Sequence, residues 1–190
     1  MSNFRRPKNL TTRRMQETRP NPPKEHSTSP RPAREIRWNC PVAAKCGGCQ
    51  LTRLSYAEQL QWKQQRVAEL LDGICEVRPI LGMDDPFHYR NKVHAVLSVD
   101  KAGKPISGVY AMGTHRVVPV RHCLIEDRRA DRIIQTIVAM LPAYKLRIYN
   151  EYTHRGFLRH ILIRTGHVTG QIMVVLVATS LEFPGKKAFV

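Results

Sequence analysis

"GFLRHILIRTGHVTGQIMVVLVAT" (Gly156–Thr179) sets the fold class. Its two halves are apolar runs of strand length, and "GHVTG" between them carries the glycines a hairpin turn needs. In the first half, alternation puts Arg159, Ile161 and Ile163 on one face and Leu158, His160, Leu162 and Arg164 on the other. The second run, from Met173 to Ala178, is too continuously apolar for a sheet with one wet face, so both its faces are expected to be covered.

Working outward, "VHAVLSVD" (Val93–Asp100) and "ISGVYAM" (Ile106–Met112) flank "KAGKP", a second hairpin, and "HRVVPV" is a short strand that Pro119 marks as an edge. Two helices interrupt the strands. Ser55 and Glu58 form a capping box that opens a helix over Tyr56 to Leu71, with Tyr56, Leu60, Lys63, Val67, Leu70 and Leu71 mainly on one face and Asp72-Gly73 as its stop. A second helix, Arg128 to Leu141, carries Ile133, Ile134, Ile137 and Val138 and ends at Pro142. The expected class is α+β: a mostly antiparallel sheet with two helices, and no internal repeat.

Residues 1–37 differ. They are basic and almost free of large apolar side chains, and residues 1–36 hold six of the 13 prolines. Such a segment cannot bury enough surface to offset its ordering entropy, so a disordered basic tail is expected, followed by one domain over 38–190. The chain carries a net charge of +16. Residues 1–38 hold ten Lys/Arg against three Asp/Glu, which leaves 21 against 12 for the rest, so the folded part is itself basic. That balance favours a polyanionic partner, nucleic acid first. No apolar run approaches the ~20 residues of a membrane span, and the basic start has no apolar segment behind it. A cytoplasmic protein without a membrane partner is expected.

"NCPVAAKCGGCQL" (Asn39–Leu51) packs Cys40, Cys46 and Cys49 at C-x5-C-x2-C spacing, and Cys123 follows far downstream in "RHCLIE". Cys75, just after the first helix, reads as a small buried residue. A disulfide framework is disfavoured by an odd count and no secretory context. Four thiolates suit structural zinc, yet zinc sites usually come as two C-x2-C knuckles and only one is here. An iron–sulfur cluster also takes four thiolates, and the glycines of "CGGC" would let backbone wrap closely around it, so iron–sulfur ranks ahead of zinc. The radical S-adenosylmethionine loop is usually C-x3-C-x2-C, which disfavours that class.

Several motifs occur together in one order: "CPVAAKCGGCQLTRLSYAEQLQWKQ", "DPFHYRNKV", "GVYAMGTHRVVPVRHCLIE" and "THRGFLRHILIRTG". From about Trp38 to the end the chain resembles the amino-terminal half of bacterial 23S ribosomal RNA uracil-C5 methyltransferases, which use S-adenosylmethionine. The resemblance implies that Cys40, Cys46, Cys49 and Cys123 hold a [4Fe–4S] cluster and that the partner is RNA, ribosomal in this family. Family members often begin with a small β-barrel RNA-binding domain, for which residues 1–37 are too short and Pro-rich. The family's Rossmann-like catalytic domain, with its nucleophilic cysteine and its glutamate base, lies beyond the matched region. The sequence shows no Gly-rich turn after a strand, and Cys75 does not sit in the nucleophile motif. The expectation is a truncated chain that does not methylate alone, with S-adenosylmethionine bound only by a full-length form or by a separate methyltransferase chain. The alternatives are a stand-alone RNA-binding protein with a structural iron–sulfur or zinc site and, further off, an electron-transfer protein.

Candidate RNA contacts follow from residue type. "FHYRNK" (Phe87–Lys92) mixes cations Arg90 and Lys92 and the amide of Asn91 with the rings of Phe87, His88 and Tyr89. His154, Arg155 and Arg159 cluster at the turn before a strand, where they could bind phosphate or equally form a solvated strand end, and His115 with Arg116 could likewise face RNA or be simple loop residues. For the aromatics, a core role at the strand entrance is an equal alternative.

Overall fold

The computed structural model describes residues 36–189. The tail expected over 1–37 falls almost wholly outside them. The described elements are helix α1 (Tyr56–Leu70), strands β1 (Lys92–Val99), β2 (Pro105–Tyr110) and β3 (Val117–Pro119), helix α2 (Arg128–Met140), strands β4 (Leu158–Thr165) and β5 (Ile172–Ala178), and a one-turn helix α3 (Lys186–Phe189). The strands form one antiparallel sheet in the order β3-β2-β1-β4-β5. The class is α+β as expected, with a third, very short helix that the sequence reading omitted.

Register fixes which side chains meet. Val93 and Ala95 of β1 lie opposite Ile163 and Ile161 of β4, and these in turn lie opposite Val174 and Leu176 of β5. α2 packs across β2 and β4, closing a core of Val93, Ala95, Leu97, Ile134, Ile137, Val138, Leu141, Leu158, Ile161 and Ile163. Asp127 caps α2 through Arg129 N–H (2.8 Å) and pairs with the Arg129 guanidinium (2.7 Å), which holds its carboxyl well below the usual range.

Three sequence expectations are corrected. Strict alternation in β4 fails because Leu158 pairs with Ala178 while His160 pairs with Val177, so Arg159 is the extra residue of a β-bulge. The bulge moves Leu158 to the core face with Ile161 and Ile163, all three fully buried. β5 is the sheet's other edge, and Ile172, Met173, Val174 and Val175 stay exposed, so cover on both faces is not found among the described residues. α1 carries a working capping box, Ser55 N–H to Glu58 Oε2 at 2.6 Å with Glu58 N–H to Ser55 Oγ at 3.4 Å. Only Tyr56 and Gln59 of it are buried, however, and Val67 and Leu70 are exposed, because it docks through its first turns. The Tyr56 hydroxyl accepts from Met83 N–H at 2.7 Å, and Tyr56 N–H donates to Ile36 O at 3.0 Å.

Candidate functional site

The cysteine loop is held by its own backbone. Cys46 N–H donates to Val42 O at 2.8 Å, Ala43 N–H to Cys40 O at 3.2 Å, and Gly48 N–H to Cys46 Sγ at 3.4 Å. A Cβ on Gly48 would stand 3.3 Å from that sulfur, and one on Gly47 would stand 3.3 Å from Met112 Cβ, so the "CGGC" glycines leave the sulfur room and let the loop lie against the end of β2. Cys123 belongs to a segment laced to "FHYRN": His88 N–H donates to Leu124 O (2.9 Å), Arg90 N–H to Ile125 O (2.8 Å) and Asp127 N–H to Arg90 O (3.1 Å). The same tie is strengthened by His88 Nδ1, which donates to Glu126 O at 2.7 Å.

Burial and nearby charge act on two of the four thiols, Cys49 and Cys123. Burial raises the Cys49 pKa, the charges of Cys46, Cys40 and Glu126 raise it further, and only Arg90 opposes. Burial lifts Cys123 to about 11, with Glu126 and Asp131 adding to the rise. Asp131 Oδ2 accepts from Cys123 N–H at 3.0 Å. Glu126 itself is pushed up to about 7, by burial first and then by the charge of Asp131. A cation beside Cys49 and Cys123 would favour their thiolate forms, with release of protons. The donor chemistry and the glycine cradle fit a soft metal centre held by Cys40, Cys46, Cys49 and Cys123. Among the described residues, however, no group of three or more His, Cys, Asp or Glu is placed to hold a metal ion. This structure does not confirm the iron–sulfur loop expected from the sequence. Cys75 is exposed, against the expectation of burial.

The RNA candidates fall into two groups. Arg90, Asn91 and Lys92 are exposed at the entrance to β1, with Tyr89 beside them; Lys92 faces the exposed Arg164 across the sheet. His88, at φ 52°, turns the chain so that Phe87 packs on Trp38 (ring centroids 4.8 Å apart) while Tyr89 faces out. The second group is centred on Tyr110, whose ring meets His115 edge-on at 5.4 Å. Burial raises the pKa of Tyr110, and the charges of Glu151 and Arg159 act on it in opposite directions. Arg159 pairs with Glu151 at 2.7 Å and lies 4.6 Å over the Tyr149 ring, so much of its charge is already answered. His154 shares a hydrogen bond with Tyr149 at 3.2 Å, while Arg155 and Arg116 are exposed. Sequence reading missed His94 and His160, stacked edge-on at 4.7 Å on the sheet's open face, and missed Trp38 and Lys63 beside the cysteine loop. The alternation of β1 and β4 was the available signal for the histidines; nothing in the sequence pattern brings Trp38 to Tyr89.

No helix among the described residues is long and apolar enough to cross a membrane. No protein-family model matches the chain. The chain is 41% identical over 162 residues to an uncharacterized RNA methyltransferase of Clostridium tetani, covering 83% of this chain and 35% of that protein. A Bacillus cereus protein of the same description is 38% identical over 156 residues, 80% of this chain and 34% of the relative. The chain thus spans about a third of the length of the curated relatives it matches. Among solved structures it is similar to Pyrococcus abyssi tRNA (uracil-54, C5)-methyltransferase in complex with S-adenosyl-L-homocysteine, with a TM-score of 0.59 and 25% identity over 80% of this chain and 36% of that one. Sequence and fold together make this chain similar to one third of an RNA methyltransferase.

Proposed function

We propose that the chain is the RNA-gripping segment of an RNA uracil-C5 methyltransferase that uses S-adenosylmethionine. The observation that carries this reading is the likeness, across four-fifths of the chain, to a tRNA uracil-C5 methyltransferase. The exposed Arg90, Asn91, Lys92, Arg116 and Arg155 and the net charge of +16 support an RNA partner. Ribosomal RNA is the proposed class, on the resemblance of the cysteine pattern, although the structural neighbour's own substrate is tRNA. Methyl transfer is proposed for the whole protein: uracil C5 attacks a methyl sulfonium only after a thiolate adds to C6, and a base must then remove the C5 proton. Neither role is assigned to a residue of this chain, and a Rossmann-like cofactor domain belongs to the same proposal.

Within it, Cys40, Cys46, Cys49 and Cys123 are proposed to hold a [4Fe–4S] cluster. A bound cluster would supply four iron–sulfur bonds tying the cysteine loop to the Cys123 segment. The residues here keep the loop in place and leave the thiols half-buried. Anaerobic purification followed by metal and sulfide analysis tests this: about four irons and four sulfides per chain with visible absorption are expected. One zinc and no colour would replace the cluster with a structural zinc site.

A further inference from the structure

A cleft of about 240 Å³ opens beside the cysteine loop, and we propose that it takes a single unstacked RNA base. The inference rests on the RNA-binding reading above and assigns it a site. Trp38, Tyr89, Lys63, Arg90, Gln50 and Gln59 are among the residues that wall the cleft. Of the four cluster cysteines only Cys49 reaches the wall, so this space is not the one between the sulfurs.

The wall has the three kinds of group that a splayed base uses: a ring to stack on, polar atoms for its edge, and cations for its phosphate. Tyr89 is 52% exposed, held outward by the positive φ of His88, a backbone state that a non-glycine residue adopts at a cost. The amide N–H groups of Gln50 and Gln59 donate to Gly47 O (3.3 Å) and Leu54 O (3.2 Å), which fixes both side chains and leaves their oxygens as acceptors. Trp38 adds a buried indole N–H with no partner, a donor that a base carbonyl would satisfy once the cleft opens around it. Lys63 on α1 and Arg90 before β1 flank these groups with positive charge.

Trp38 and Trp62 are the two tryptophans of the chain, so Trp62→Phe leaves Trp38 as the sole indole reporter. In that background, titration with short single-stranded RNA of mixed sequence should quench Trp38 fluorescence. Tyr89→Ala should weaken binding about tenfold to a hundredfold, and Tyr89→Phe should keep wild-type affinity. Circular dichroism confirms that each variant is folded; Tyr89 is exposed, so both should be. Heparin, a polyanion without bases, should bind without the quench. RNA that binds with Trp38 unchanged and Tyr89→Ala as tight as wild type overturns the pocket and leaves the RNA reading intact. Equal quenching by heparin also overturns it, since charge rather than a base would then be the cause. An absence of RNA binding even at low salt removes the RNA reading itself, and the pocket with it.

Discussion

Glu126 is buried beside Asp131, and burial with that neighbouring charge raises its pKa to about 7. The folded chain therefore holds a proton there that the unfolded chain releases near the ordinary value of 4.5. The contribution to stability is complete below 4.5 and is lost as pH rises through 7. Glu126→Gln cannot ionise, so it should stabilise the chain by about 2–3 kcal/mol at mildly alkaline pH and by nothing at pH below 4.5. Urea unfolding at both ends of that range reads the difference; an equal effect at both would mean the proton is not on Glu126. The capping pair Ser55–Glu58 and the four cysteines were plain in the sequence because their spacing is local. Glu126 was not, since "RHCLIE" becomes an acidic, buried neighbourhood only when it pairs with the Phe87–Asn91 segment and meets Asp131 from α2.

Periodicity revealed the elements other than the one-turn α3 to within one or two residues, because β1, β4 and α2 each bury a face on one shared core. It failed at Arg159, where one inserted residue reverses the alternation for Leu158, and a bulge leaves no mark in hydropathy. It also failed for α1, whose apolar stripe continues past the turns that dock. Gly108 shows a constraint that hydropathy does not carry. It sits between Val96 of β1 and Pro119 of β3, and a Cβ there would collide with the Val118 carbonyl. Gly108→Ala should push β3 off the sheet and cost about 1–3 kcal/mol, with the loss concentrated in hydrogen-exchange protection of Ala111 and Val120, whose amides bond across this edge. Uniform loss of protection over β1 and β4 would instead mean that the whole core had loosened.

At the scale of the molecule, charge and apolar surface respond to salt in opposite directions. The net charge of +16 was readable from composition, and it should make RNA binding fall with salt, by a log–log slope of about −0.7 for each phosphate neutralised on a single strand. The exposed edge strand was not readable: an unbroken apolar run looks the same whether or not anything covers it. Ile172, Met173, Val174 and Val175 present side chains 37–51% exposed along the open backbone of β5, the surface through which sheets join edge to edge. Mutual repulsion of basic chains opposes that joining at low ionic strength. Raising salt from about 0.1 M to about 1 M shortens the screening length from ~10 Å to ~3 Å, and the repulsion fades while the apolar attraction persists. The chain should therefore sediment as a monomer at low salt and as larger species at high salt, over the same range in which it releases RNA. Val175→Lys places a charge on that edge and should keep the chain monomeric throughout, leaving the core face, built on Ile161 and Ile163, undisturbed. Association that survives Val175→Lys would locate the contact elsewhere, because a lysine at the middle of an edge strand cannot be buried between two paired sheets without losing its water.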